Sequence, residues 1–106
     1  MILIRVPFMR PDGMALFPFV LVKARRPAAR IIHHEQIHLR QQVEMGLLPF
    51  YVWYFTEYLV RLAQYRNHDL AYRNICFERE AYHFDEAFEY LETRRTWAFL
   101  GFLRQK

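Results

Sequence analysis

Residues 31–42 read I-I-H-H-E-Q-I-H-L-R-Q-Q, and within them His34 to His38 spell H-E-Q-I-H. The stretch is rich in helix formers and holds neither Pro nor Gly. A helix is therefore expected from Ile31 to about Met45, ended by Gly46 and Pro49. On a helix, residues four apart lie on one face, one turn apart. His34 and His38 can then aim their imidazoles at a single metal ion. Glu35 lies about 100° further round the same helix. That offset sets its carboxylate beside the metal's open position, where it can take a proton from water and hand it to a leaving group. With two neutral imidazoles on zinc, such a water ionises near neutral pH rather than at about 16. The plainer alternative is a solvated helix face of polar His, Glu and Gln.

Upstream, residues 2–8 open with the apolar, β-branched run I-L-I-R-V and read as a strand. R-P-D-G at 10–13 is a turn signal. Residues 15–24, A-L-F-P-F-V-L-V-K-A, read as a second strand, at an edge or bulged because Pro18 brings no ladder donor. A β-hairpin of the two is the simplest assembly. Downstream, a second helix is expected over 50–66, with Trp53, Glu57 and Val60 roughly one turn apart, and then a turn at N-H-D, 67–69. A long third helix is expected over 71–93, where Phe77, Ala81, Phe84, Phe88 and Leu91 alternate four and three. A last short helix is expected over 96–103. The fold class is α+β and mostly helical: an N-terminal β-hairpin or edge strands followed by three to four helices, in a single domain over 1–106. No repeat or low-complexity segment interrupts it.

A chain of 106 residues buries a modest core. Ten Phe, seven Tyr and two Trp fill it with rings whose polar tips need partners. The formal charge of +4 is spread thinly, its densest points being Arg25-Arg26, Arg94-Arg95 and the tail at 104–106. The aromatics fall at core-like spacings and are not interleaved with a basic groove, so nucleic acid is not expected as a partner. The single cysteine, Cys76, forbids an internal disulfide and fits a reducing compartment. The opening M-I-L-I-R-V-P-F lacks the basic region, long apolar run and cleavage site of a signal peptide. A cytoplasmic setting is the expectation. The most apolar stretch, 47–60, is short for a bilayer span and is interrupted by Glu57. A buried helix is expected there, with a peripheral membrane contact through its aromatics as the alternative.

Zinc hydrolases take three protein ligands and leave a fourth position open. Residues 77–85, F-E-R-E-A-Y-H-F-D, carry glutamates that can supply the third. H-E-x-x-H followed on a later helix by E-x-x-A-(D/N)-x-F resembles the gluzincin class of zinc metallopeptidases, and the second motif falls here on Glu78, Ala81 and Phe84. The succession of strands, H-E-x-x-H helix, connecting helix and glutamate helix is similar to that of short bacterial zincin-like proteins. The resemblance implies a zinc-dependent hydrolase, a metallopeptidase acting on peptide or protein substrates. It implies Zn2+ held by His34, His38 and Glu78, with Glu35 as general base, and a small residue at Ala81 that lets two helices approach. Glu80 competes for the third place. The two glutamates project about 200° apart on a helix, so only one can face the metal. Register with Ala81 and Phe84 favours Glu78, whereas Glu80 lies closer to the centre of the apolar stripe. The loser is expected as a solvated or ion-paired carboxylate near Arg79 or Arg73.

Tyr82 stands where gluzincins carry an Asp or Asn that orients a ligand histidine from behind. Tyr82 through its hydroxyl, or Asp85 from the next turn, is the expected substitute. His33 is expected at the surface or as a cap, Gln41 as solvated or hydrogen-bonded behind the ligands, and Cys76 as a small buried residue. Tyr72, Tyr82, His68 and His83 are candidates by type alone for stabilising an oxyanion. The alternative function is a zincin-like module that binds metal for structure or regulation, without turnover. Such a closed site would need a fourth protein ligand from His33, Glu80 or His83. Oligomeric state is left open.

Overall fold

The computed structural model describes residues 1–103, and the basic tail at 104–106 lies outside them. Three short strands open the chain: β1 (Ile2–Arg5), β2 (Gly13–Leu16) and β3 (Phe19–Val22). They form one sheet in the order β1-β3-β2, with β1 parallel and β2 antiparallel to β3. The fold class is the expected α+β, but the expected pairing of two long strands is corrected. The segment 15–24 doubles back at Phe17–Pro18, a cis peptide bond. Pro18 has no N–H to continue a ladder, so the segment makes a hairpin with itself and β1 joins on the far side. Val20 and Val22 of the central strand are buried with Ala15 against Leu39. The apolar edge strand β1 is exposed along its whole length.

Helix α1 (Ala29–Met45) begins two residues before the expected start and ends at Gly46, whose φ of 78° favours a residue without Cβ. Helix α2 (Leu47–Tyr65) follows directly. Pro49 does not delay it as expected, because it occupies the first turn, where the backbone amide has no helical acceptor to lose. The expected burial of this apolar segment is one-sided. Phe50 and Glu57 are buried, while Leu48, Val52 and Phe55 stand 74%, 59% and 62% exposed. No helix among the described residues is long and apolar enough to cross a membrane.

The expected long third helix is three: α3 (His68–Arg73), α4 (Cys76–Phe84) and α5 (Tyr90–Thr93). Asn74 makes the first break. Its amide nitrogen donates to Leu70 O, and Arg79 donates to its Oδ1. An Asn side chain that competes for backbone partners favours a helix end over a helix interior. The chain then extends at Ile75, and Cys76 N–H, at the fresh N-terminus, donates to the buried Glu57 carboxylate of α2. The second break follows Asp85, which is drawn towards α1, and it leaves Phe88 outside any helix and 56% exposed. A 3-10 helix (Ala98–Phe102) stands where a last short helix is expected. Its Phe99 closes a ring-rich core with Phe50, Ile75, Cys76 and Phe77, and the Phe77 ring lies 4.6 Å from Phe50 and 4.7 Å from Phe99. Helix α1 thus has the sheet on one side and α2 and α4 on the other, so side chains on its inner face are enclosed.

Candidate metal centre

The inner face of α1 carries His34 and His38, and α4 brings Glu78 to meet them. Nε2 of each imidazole lies 3.0 Å from the same oxygen, Glu78 Oε1. The three potential donor atoms lie within 4.8 Å of one another and all three residues are buried. Donors at about 2.0–2.1 Å from a tetrahedral zinc stand about 3.3 Å apart, so the observed spacing fits one small cation with slight relaxation. The cluster can therefore hold a metal ion, and it is the one such group of three found among the described residues. Ala81, one turn beyond Glu78, is fully buried where α4 packs on α1.

Glu80 turns the other way. Its carboxylate accepts from Arg94, Tyr90 and Gln41. It is ion-paired as the losing glutamate was expected to be, but fully buried and with Arg94 in place of Arg79 or Arg73. Arg79 instead reaches Asn74 and the backbone of the 3-10 helix, and Arg73 pairs with Asp69.

Burial governs the electrostatics of the cluster. It pulls the His38 imidazole down, but the charge and hydrogen bond of Glu78 more than offset it and push His38 up to about 9. Burial pushes Glu78 up, yet the His38 charge and the two imidazole hydrogen bonds hold it well below the usual carboxylate range. Glu35 lines the cleft beside the cluster and is 8% exposed. Burial raises its pKa against the lowering pull of His38 and His34. Strand β2 lies close over it. A Cβ on Gly13 would stand 3.1 Å from both Cγ and Oε2 of Glu35.

Each potential ligand has a partner behind it. His38 Nδ1 lies 2.8 Å from Gln41 Oε1. The Tyr54 hydroxyl of α2 donates to Glu78 Oε2 at 2.6 Å. His34 Nδ1 faces Asp85 Oδ2 at 3.5 Å. Of the two expected substitutes it is Asp85 that stands behind His34, while the Tyr82 ring packs edge-on against the imidazole at 4.5 Å. Tyr54 is the residue that sequence reasoning missed. No fixed spacing links it to Glu78, because the contact joins two helices. Gln41, expected as solvated or hydrogen-bonded behind the ligands, is fully buried and takes the second of those places, as its position three after His38 allows. His33 is also corrected. It is 5% exposed, donates from Nδ1 to Asp85 O and meets the Phe88 ring edge, leaving Nε2 without a partner. Cys76 is fully buried as expected, and burial pushes its thiol above the usual range. His68 is exposed and bonded to the Tyr58 hydroxyl, and His83 packs on Phe84 and Phe102.

The cluster opens onto a cleft of about 780 Å³ walled by β2, Arg30, Tyr51, Tyr72 and Tyr82. Comparison of the chain with protein-family models, with curated proteins and with solved structures finds no match.

Proposed function

We propose that the protein is a small zinc-dependent hydrolase of gluzincin type that cleaves peptide bonds. The observation that carries the proposal is the convergence of His34, His38 and Glu78 on one point, buried at a cleft, with the carboxylate of Glu35 beside them and turned to no ligand role. His, His and carboxylate with an open side is the donor set of catalytic zinc sites. Bound there, zinc supplies a Lewis acid that acidifies water and polarises a carbonyl oxygen. Glu35 accepts the proton of the attacking water as its oxygen bonds to the carbonyl carbon, and returns it to the amide nitrogen as the C–N bond breaks. Burial and the charge of Glu78 push the Tyr72 hydroxyl far up, and it donates to the Tyr82 hydroxyl on the cleft wall. Strand β2 is an edge of the sheet along the cleft wall; Gln42 of α1 already holds Ala15 O and Phe17 N, so an extended peptide would pair with the backbone nearer Gly13.

Metal analysis and a peptide-library assay test the proposal. Wild type should carry one zinc per chain, and a His34→Ala, His38→Ala variant none. Glu35→Gln should keep the zinc and lose about 10²- to 10⁴-fold in cleavage rate. Zinc-loaded wild type that cleaves no peptide, or a Glu35→Gln variant as fast as wild type, would sink the hydrolase assignment.

A further inference from the structure

We infer that a buried polar chain from Arg94 through Glu80 and Gln41 to His38 positions His38 for the metal by setting its tautomer. The inference rests on the metal-site proposal above. Gln41, Glu80 and the Arg94 side chain are all fully buried. The Gln41 carboxamide has two ends of nearly equal shape, and only their partners decide which way it faces. Its Nε2 donates to Phe77 O at 3.1 Å and to Glu80 Oε1 at 3.0 Å. Neither partner can donate in return. Phe77 O is a carbonyl, and Glu80 is ringed by donors, with Arg94 on both of its oxygens and the Tyr90 hydroxyl on Oε2. A flipped amide would therefore set its oxygen against two acceptors in a dry interior, where an unpaired polar group is costly.

Gln41 Oε1 is thus obliged to face His38 Nδ1, 2.8 Å away, and an acceptor there requires N–H on that nitrogen. A neutral imidazole with its proton on Nδ1 carries its lone pair on Nε2, the atom that converges with Glu78 Oε1. Glu80, the glutamate that is not a ligand, acts on the metal through another residue. Arg94, from the segment between α5 and the 3-10 helix, donates to both oxygens of Glu80 and is itself shared with Glu44 of α1. A buried ion pair of this kind adds little stability over apolar packing of the same volume.

Zinc affinity by chelator competition, together with nitrogen-15 NMR of the His38 ring in the zinc-loaded protein, tests the inference. The proteins are wild type, Gln41→Met, Glu80→Gln and Glu44→Gln. Gln41→Met removes both ends of the amide, and Glu80→Gln leaves one acceptor oxygen where two served Arg94, Tyr90 and Gln41, so the Gln41 carboxamide is no longer held one way round. Both should weaken zinc about 10- to 100-fold and lose the single protected Nδ1–H signal of His38. Glu44→Gln disturbs the same ion pair but leaves Glu80 on Gln41, so it should keep both the affinity and the signal. If Glu80→Gln does not fold, Gln41→Met decides alone. Wild-type affinity with an intact Nδ1–H signal in Gln41→Met overturns the inference. So does zinc weakening in Glu44→Gln equal to that in Glu80→Gln, which would mark a general structural effect. A wild type that binds no zinc would instead overturn the metal-site proposal and this inference with it.

Discussion

Raising the pH through the neutral range should weaken the metal-free protein and strengthen its hold on zinc. His38 carries both effects, since Glu78 holds its imidazole at about 9 against an ordinary 6.5. A group raised on folding contributes all its stability below about 6.5 and loses it as the pH climbs through about 9. At about 1.4 kcal/mol per pH unit, a rise of this size caps the loss at a few kcal/mol. His38 is 5% exposed, so solvent screening takes little from that figure. Zinc runs the other way, because the imidazole must shed its proton to become a ligand. Affinity should therefore rise by up to about tenfold per pH unit through the same window. Urea midpoints in chelator at about pH 6 and about pH 9.5 read the first effect, and chelator competition for zinc reads the second. Glu78→Gln removes the carboxylate that raises His38 and should flatten the metal-free slope. Wild-type stability that stays level or rises against Glu78→Gln across the window would refute the ion pair as the cause.

Two further outcomes follow from contacts around the cluster. Tyr54→Phe deletes the hydroxyl that donates to Glu78 Oε2 and leaves that buried oxygen unpaired. Zinc affinity by competition should fall about tenfold and metal-free stability by about 1–3 kcal/mol, and an unchanged affinity would mean that Glu78 needs no such restraint. Gly13→Ala sets a Cβ 3.0 Å from Ile31 Cγ2 and 3.1 Å from Glu35. That overpacking should cost about 1–3 kcal/mol by urea titration and lower peptide cleavage while zinc stoichiometry holds, and full activity would show that β2 yields without moving Glu35.

The H-E-x-x-H spacing was legible because it is local. Four residues on a helix dictate a shared face whatever the rest of the chain does, and His34, His38 and Glu35 indeed lie together on α1. The choice of Glu78 over Glu80 was half legible. Helical geometry says that only one can face the cluster, but the deciding partner of Glu80 is Arg94, fourteen residues on and past the ends of α4 and α5. The strand pairing was misread for a related reason. Val20, Leu21 and Val22 read as strand in any register, and only the reversal at Pro18 settles which neighbours they take.

The sequence by itself determined the mostly helical class and the two-histidine face, since both follow from periodicity and local backbone preference. The tertiary structure alone decided that apolar periodicity over 71–93 is not one helix. Asn74 ends the first piece, and the buried Glu57 carboxylate of α2 takes the amide that opens the second. It alone also set Tyr54, Gln41 and Asp85 behind the three clustered side chains. These are contacts between helices in a dry interior, where each polar atom must find a partner across the chain, and no fixed sequence spacing encodes such a meeting.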